Sequence, residues 1–270
     1  MMGPSVPDSP ALPSRSDVIA KLRAAGCVFA EDEADLLLGD ATTPADLAAA
    51  VDRRVAGLPL EYILGWAEFC GLRIVVDPGV FVPRQRTEFL AREAAALAHP
   101  RPIVVDLCCG SGAVGAALLA AVPLADLYAA DIDPAAVRCA RRNITGVGRV
   151  FEGDLYDPLP DSLRGRVDIV IANAPYVPTD AIGMMPSEAR DHEALVALDG
   201  GGDGLDVQRR VAAGARDWLA PGGRLLVETS EDQAPATAEI FANNGLAPRV
   251  MSSDELYATI VIGTWPARSG

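Results

Sequence analysis

The chain reads as an α/β protein, a parallel, doubly wound sheet preceded by a small helical domain. Three observations predict this. From Arg101 onward, short apolar runs alternate with helical segments, as buried parallel strands joined by helical crossovers do. One junction, "VVDLCCGSGAVG", is a glycine-rich turn between a strand and a helix. Ahead of both, residues 16–57 carry capping residues and apolar positions at helical spacing.

The elements follow in order. "SDVIAKLRAAG" offers a Ser or Asp cap and stops on Gly26, and "EDEADLLLGD" is a second short helix. "TTPADLAAAVDRRVAG" has a Thr cap, a proline near its first turn and a glycine stop. Helices this short are marginal alone, so a helical domain over 16–66 is expected, either as scaffold or to bind a substrate or partner. "LRIVV" and "VFV" predict two strands around the turn Asp77–Pro78–Gly79, making 67–100 a hairpin and linker. The sheet domain, 101–270, then runs "PIVVDL", helix, "DLYAADI", helix, "GRVFEGD", "RVDIVIAN", helix, "GRLLVET", helix, and a closing pair "APRVMSS" and "ELYATIVIGTW".

Composition narrows the function. The 270 residues suit one large domain and one small one. The first 15 are Pro/Ser-rich and read as a disordered tail without the basic and apolar regions of a secretory signal. No apolar run approaches the roughly 20 residues that span a bilayer, so a cytoplasmic protein with no membrane contact is expected. A net charge of −14 argues against direct nucleic-acid binding, whose footprint is basic. Five scattered cysteines, with Cys108 and Cys109 adjacent, suit neither a disulfide framework nor a zinc site, and no metal is expected. Two histidines (His99 and His192) and a single lysine (Lys21) leave little for His-base or Tyr-Lys chemistry.

The turn contains Gly110, Gly112 and Gly115 in GxGxxG spacing, and Asp131 ends the next strand about 20 residues on. Sheets that bind NAD and sheets that bind S-adenosylmethionine share this solution. Asp106 within the turn suits a ligand carrying a cation better than a pyrophosphate. Asp154, after the third strand, is placed to meet an adenine amino group with Leu155 beside the ring. All three acids fall at carboxyl ends of strands, where such sheets bind ligands.

The fourth strand ends on Asn173-Ala174-Pro175-Tyr176. This resembles the Asn-Pro-Pro-Tyr motif of amino-group and amide methyltransferases. An amide nitrogen is a poor nucleophile because its lone pair is delocalised. The Asn173 side-chain oxygen and the Ala174 carbonyl can accept its two hydrogens and aim the lone pair at a methyl group. Tyr176 offers a flat face, and Pro175 holds Ala174 extended. More widely, "PLEYILGWAEFCGL", "PGVFVPRQRTE", "DLCCGSGAVG", "NAPYVP", "DHEALVALDGGGDGLD" and "LAPGGRLLVE" resemble the HemK/PrmC family of protein-(glutamine-N5) methyltransferases. Those enzymes methylate the Gly-Gly-Gln glutamine of peptide chain release factors, in translation termination.

The resemblance implies a Rossmann-like class I methyltransferase sheet of seven strands, mostly parallel with an antiparallel last strand, behind a substrate-binding helical domain. It implies S-adenosyl-L-methionine as cofactor and a release factor as protein substrate. It implies cofactor contacts from Phe81, Arg84, Thr87, Asp106, Cys108, Cys109, Gly110, Ser111, Gly112, Asp131, Ile132, Asp154, Leu155 and Asn173, with Asn173 to Tyr176 at the reacting amide. The chain departs from the family at Ala174, where Pro is usual, at Gln85-Arg86, where Pro-Glu is usual, and at "LLVETS". The alternatives are another protein, a small amide or a nucleic-acid amino group as acceptor, or an NAD-binding oxidoreductase or nucleotide-sensing module. "HEALVALDGGGDGLD" does not match a calcium loop and is expected to pack over the substrate end.

Overall fold

A computed structural model describes residues 14–146 and 148–267, so the expected tail lies outside them except for Ser14 and Arg15. The chain divides into two compact units at Gly65/Trp66.

The described residues of the first unit form the helices α1 (Arg15–Ala24), α2 (Ala30–Asp40), α3 (Pro44–Val55) and α4 (Leu60–Leu64). Ser14 and Asp17 bond reciprocally in a capping box that starts α1. Thr43 Oγ1 accepts the Asp46 N–H at 3.1 Å, with Pro44 opening α3. The facing stripes bury Val18, Leu22, Leu37, Leu47 and Val51 together. Arg54 and Glu33 form a two-pronged ion pair beside them, at 2.6 and 3.0 Å. The short helix α4 has no counterpart in the sequence reading and stops at Gly65, whose φ is 77°.

The second unit opens with an antiparallel hairpin of β1 (Trp66–Phe69) and β2 (Leu72–Val75). This corrects the expected pairing of "LRIVV" with "VFV". Cys70 and Gly71 both take positive φ, 51° and 73°, as a two-residue turn with right-handed strand twist needs. The Asp77–Pro78–Gly79 turn does form, closed by the Val80 N–H on the Asp77 carbonyl. The chain beyond it stays irregular, because the Val82 N–H goes to the Glu193 carboxylate instead of to a strand. The expected linker also contains a helix, α5 (Glu88–Leu97), with Leu90, Ala91 and Ala94 buried on one face.

The sheet comprises β3 (Ile103–Leu107), β4 (Asp126–Asp131), β5 (Arg149–Glu152), β6 (Val167–Ala172), β7 (Leu219–Thr229), β8 (Ala247–Ser253) and β9 (Ala258–Thr264). Its spatial order is β5-β4-β3-β6-β7-β9-β8. The first five strands in that order run parallel, and β9 is antiparallel to both β7 and β8. The helices α6 (Ala113–Ala121), α7 (Pro134–Asn143), α8 (Ser187–His192), α9 (Asp206–Trp218) and α10 (Ala234–Asn243) complete the unit. Strand β3 pairs with β4 on one side and β6 on the other, so the chain order reverses there. Such a switch point opens a crevice at the carboxyl edge of the sheet. The flanking strands are almost wholly apolar and buried, which makes that edge rigid.

Candidate active site at the carboxyl edge of the sheet

A cavity of about 420 Å³ occupies this crevice. Every site residue anticipated from the sequence lines it except Gly112. Gly112 turns the chain into α6 with φ 79°, and a Cβ there would lie 3.0 Å from Ile144 Cδ1 and 3.1 Å from the Ala140 backbone. Its absent side chain lets α6 meet α7, a packing role one step removed from the cavity wall.

Asp106, next to last in β3, is almost fully buried, with Oδ2 accepting the Gly115 N–H at 3.1 Å. Burial pushes its carboxyl up to about 7; the Gly115 bond opposes the rise and the charge of Asp131 adds to it. Asp131, at the end of β4, accepts the Gly110 N–H at 2.8 Å and the Asp133 N–H at 2.9 Å. Burial raises it too, against those two bonds. Asp154 holds Arg210 of α9 at 2.6 Å, an ion pair that sequence spacing gave no sign of. Cys108 takes a left-handed φ of 52°, and burial pushes its thiol up, so it stays protonated and inert. Cys109 is raised in the same way.

Across the switch point, Asn173 follows β6. Its Nδ2 donates to Thr87 Oγ1 at 3.4 Å, which leaves Oδ1 without a bond among the described residues. The Ala174 carbonyl likewise accepts no backbone hydrogen bond outside the regular elements. Asn173 and Ala174 both line the cavity, so two acceptors without a bond among the described residues belong to its wall. Tyr176 is fixed from both ends. Its carbonyl accepts Gln233 Nε2 at 3.0 Å. Its hydroxyl accepts Arg86 Nη2 at 2.9 Å and donates to Glu228 Oε1 at 3.3 Å. Burial, with the Glu228 charge and against Arg86, pushes the phenol up to about 12.

The segment from His192 forms the far wall. Val177 and Leu198 bond at 3.1 Å, Gly200 and Val177 at 2.9 Å, and Val196, Ala197 and Leu198 face the cavity. Gly204 takes φ 80°, and a Cβ there would lie 2.3 Å from the Tyr176 carbonyl oxygen. Glu193 ties this wall to the other, taking Arg84 at 2.6 Å and the Val82 N–H at 3.2 Å. Arg86, Glu193, Arg210, Glu228 and Gln233 were not singled out as site residues. Arg86 carried a signal as a basic residue in place of an acid, and Glu193 and Glu228 lie in stretches that carry the family resemblance.

A seven-stranded sheet in this order, with its cavity at the switch point, defines a class I methyltransferase. The solved methyltransferase from Pyrococcus furiosus has the same fold, with a TM-score of 0.52 at 16% identity, over 82% of this chain and 99% of that one. The family model "Methyltransferase small domain" matches residues 71–203. The Geobacter sulfurreducens protein named release factor glutamine methyltransferase is 38% identical, over 82% of this chain and 78% of its own. A Streptomyces pristinaespiralis relative, 37% identical over 83% of this chain and 78% of its own, is named 4-amino-L-phenylalanine/4-methylamino-L-phenylalanine methyltransferase. The chain belongs to the release factor glutamine methyltransferase family.

Proposed function

We propose that this chain methylates a protein glutamine side-chain amide, that of the Gly-Gly-Gln motif in a peptide chain release factor, with S-adenosylmethionine as donor. The observation that carries the reading is the pair of unspent acceptors, Asn173 Oδ1 and the Ala174 carbonyl, at the wall of a nucleoside-sized cavity.

The donor set fits the cofactor. The cavity volume lies in the range of small-molecule sites, about 300–1,000 Å³. Asp106 is a buried acid with no cationic partner among the described residues, and a sulfonium or ammonium group nearby would restore its ionised form. Asp131 has lone pairs left for ribose hydroxyls, and Asp154 and Leu155 suit the adenine. S-adenosylmethionine, when bound, supplies an electrophilic methyl group.

The chain supplies orientation. Asn173 and Ala174 take the two amide hydrogens, which turns the nitrogen lone pair outward and favours the positive charge that develops on nitrogen. Pro175 has no N–H to give and limits Ala174 to extended backbone, so the carbonyl direction is set without a proline at 174. The Thr87 bond fixes the Asn173 amide, and Tyr176, anchored at both ends, supports the planar acceptor. No strong base is needed for a step limited by aim and charge.

The test is methyl transfer from labelled S-adenosylmethionine to purified release factor, with its motif glutamine intact or changed to alanine. Incorporation that requires the glutamine supports the reading. No incorporation, with cofactor binding confirmed in parallel, rejects the release factor as acceptor and turns attention to aromatic amines like that in the Streptomyces relative's name.

A further inference from the structure

Arg86 is the residue the proposed reaction leaves unexplained. It lies in the short 3-10 helix Gln85–Thr87, lines the cavity, and keeps 43% of its side chain exposed. Its Nε donates to Glu228 Oε1 at 3.2 Å and its Nη2 to the Tyr176 hydroxyl at 2.9 Å. Glu228 is 1% exposed, and its other oxygen, Oε2, is buried with no hydrogen-bond partner. The guanidinium is therefore held on one edge by a buried anion and a phenol. Its Nη1 makes no bond among the described residues. A fixed, half-exposed fork of donors beside the acceptor-holding tyrosine is built to take an oxygen.

We propose that Arg86 is a specificity-determining residue that donates from Nη1 to a backbone carbonyl of the peptide segment carrying the acceptor glutamine. This rests on the amide-methylation reading above. A neutral carbonyl is favoured over a carboxylate because the acids lining the cavity, Asp106, Asp131, Asp133, Asp154 and Glu188, outnumber its arginines, Arg84, Arg86 and Arg210, in a chain of net charge −14. An anionic acceptor would meet that field on entry. Glu228 acts through Arg86 and Tyr176: it is a positioning residue, holding the fork edge-on and the ring in place. Where the resembled family has an acid, this chain carries an arginine that pairs with Glu228.

The experiment separates contact from mere charge neutralisation. Arg86→Gln alone leaves Glu228 buried and unpaired, so any loss there has two explanations. The double variant Arg86→Gln/Glu228→Gln removes both charges, with an isosteric change at 228 and a shorter polar side chain left at 86. Steady-state kinetics with release factor, and cofactor affinity by calorimetry, are measured for wild type, the double variant and Arg86→Lys. The expected result is an acceptor KM raised about 10-fold or more in the double variant, as for loss of one charge-assisted hydrogen bond. Cofactor Kd stays within about 2-fold, and Arg86→Lys recovers part of the KM. A double variant with wild-type KM overturns the proposal and leaves Arg86 as the counter-ion of Glu228. Wild-type protein that binds cofactor yet transfers no methyl group overturns the underlying reading, and this proposal with it.

Discussion

Replacing Asp106 by asparagine tests the electrostatic design of the cavity. The carboxyl titrates near 7 in the folded chain against an ordinary value of 3.8, because burial disfavours its charge. The folded state thus binds this proton more tightly than the unfolded state. The stability that follows is fully present below about pH 4 and is lost as pH rises to about 7. A difference of about 3 pKa units, at about 1.4 kcal/mol each, caps the loss at roughly 4 kcal/mol. Asparagine matches the shape, keeps an acceptor for the Gly115 N–H, and cannot ionise. At pH 8 the variant is expected to melt higher, by up to about 8–16 °C at roughly 2–4 °C per kcal/mol for a domain of about 200 residues. Thermal unfolding of both proteins between pH 4 and 9, without cofactor, gives the gap as a function of pH. It should be small at pH 4, open through the range to 7, and stay level above it. Cofactor affinity should move the opposite way. It should be weaker in the variant and lose the rise between pH 5 and 7 that deprotonation of Asp106 gives the wild type. A variant no more stable than wild type at pH 8, or a gap that does not widen with pH, refutes the reasoning.

Asn173→Ala is expected to lower turnover by about 100-fold or more while cofactor affinity holds, read by single-turnover methylation beside calorimetry. Gly204→Ala forces a Cβ onto the Tyr176 carbonyl at a left-handed φ and should destabilise by more than about 2 kcal/mol in urea unfolding. Gly222→Ala, also left-handed at φ 83° but with open space around it, should lose only about 1 kcal/mol, the conformational part alone. Arg54→Met in the helical unit strands the buried Glu33 carboxylate and should cost about 3–5 kcal/mol, whereas Arg54→Met with Glu33→Leu should return close to wild type.

The sequence was most legible where local chemistry and tertiary demand agree. Apolar runs such as "IVVDL" and "VDIVIA" are strands whose two faces are both covered, and their length and β-branched residues mark them as such. Ser14 and Thr43 cap helices through bonds made within three residues, so the letters themselves carry the signal. The hairpin misled for the opposite reason. Pro78–Gly79 is a strong turn signal and does turn, but the segment after it found its partner in Glu193, more than a hundred residues on. Cys70–Gly71, a weak signal, became the hairpin turn because pairing with Trp66–Phe69 made two positive φ values worthwhile. Gly112, spaced with Gly110 in the motif, also meets a demand the motif does not spell out: a Cβ there would crowd Ala140 of α7.

By itself, then, the sequence determined the alternation of strand and helix, the acids at three strand ends and the Asn-Ala-Pro-Tyr terminus, all set by neighbours in the chain. Only the tertiary structure decided the strand order that brings Asp106 and Asn173 to one crevice, the Arg210 partner of Asp154, and the Arg86–Tyr176–Glu228 cluster. Those contacts join residues 52 to 142 positions apart. Which of many possible charges meets which is settled by the burial of the sheet and the desolvation of Glu228, and no local spacing encodes it.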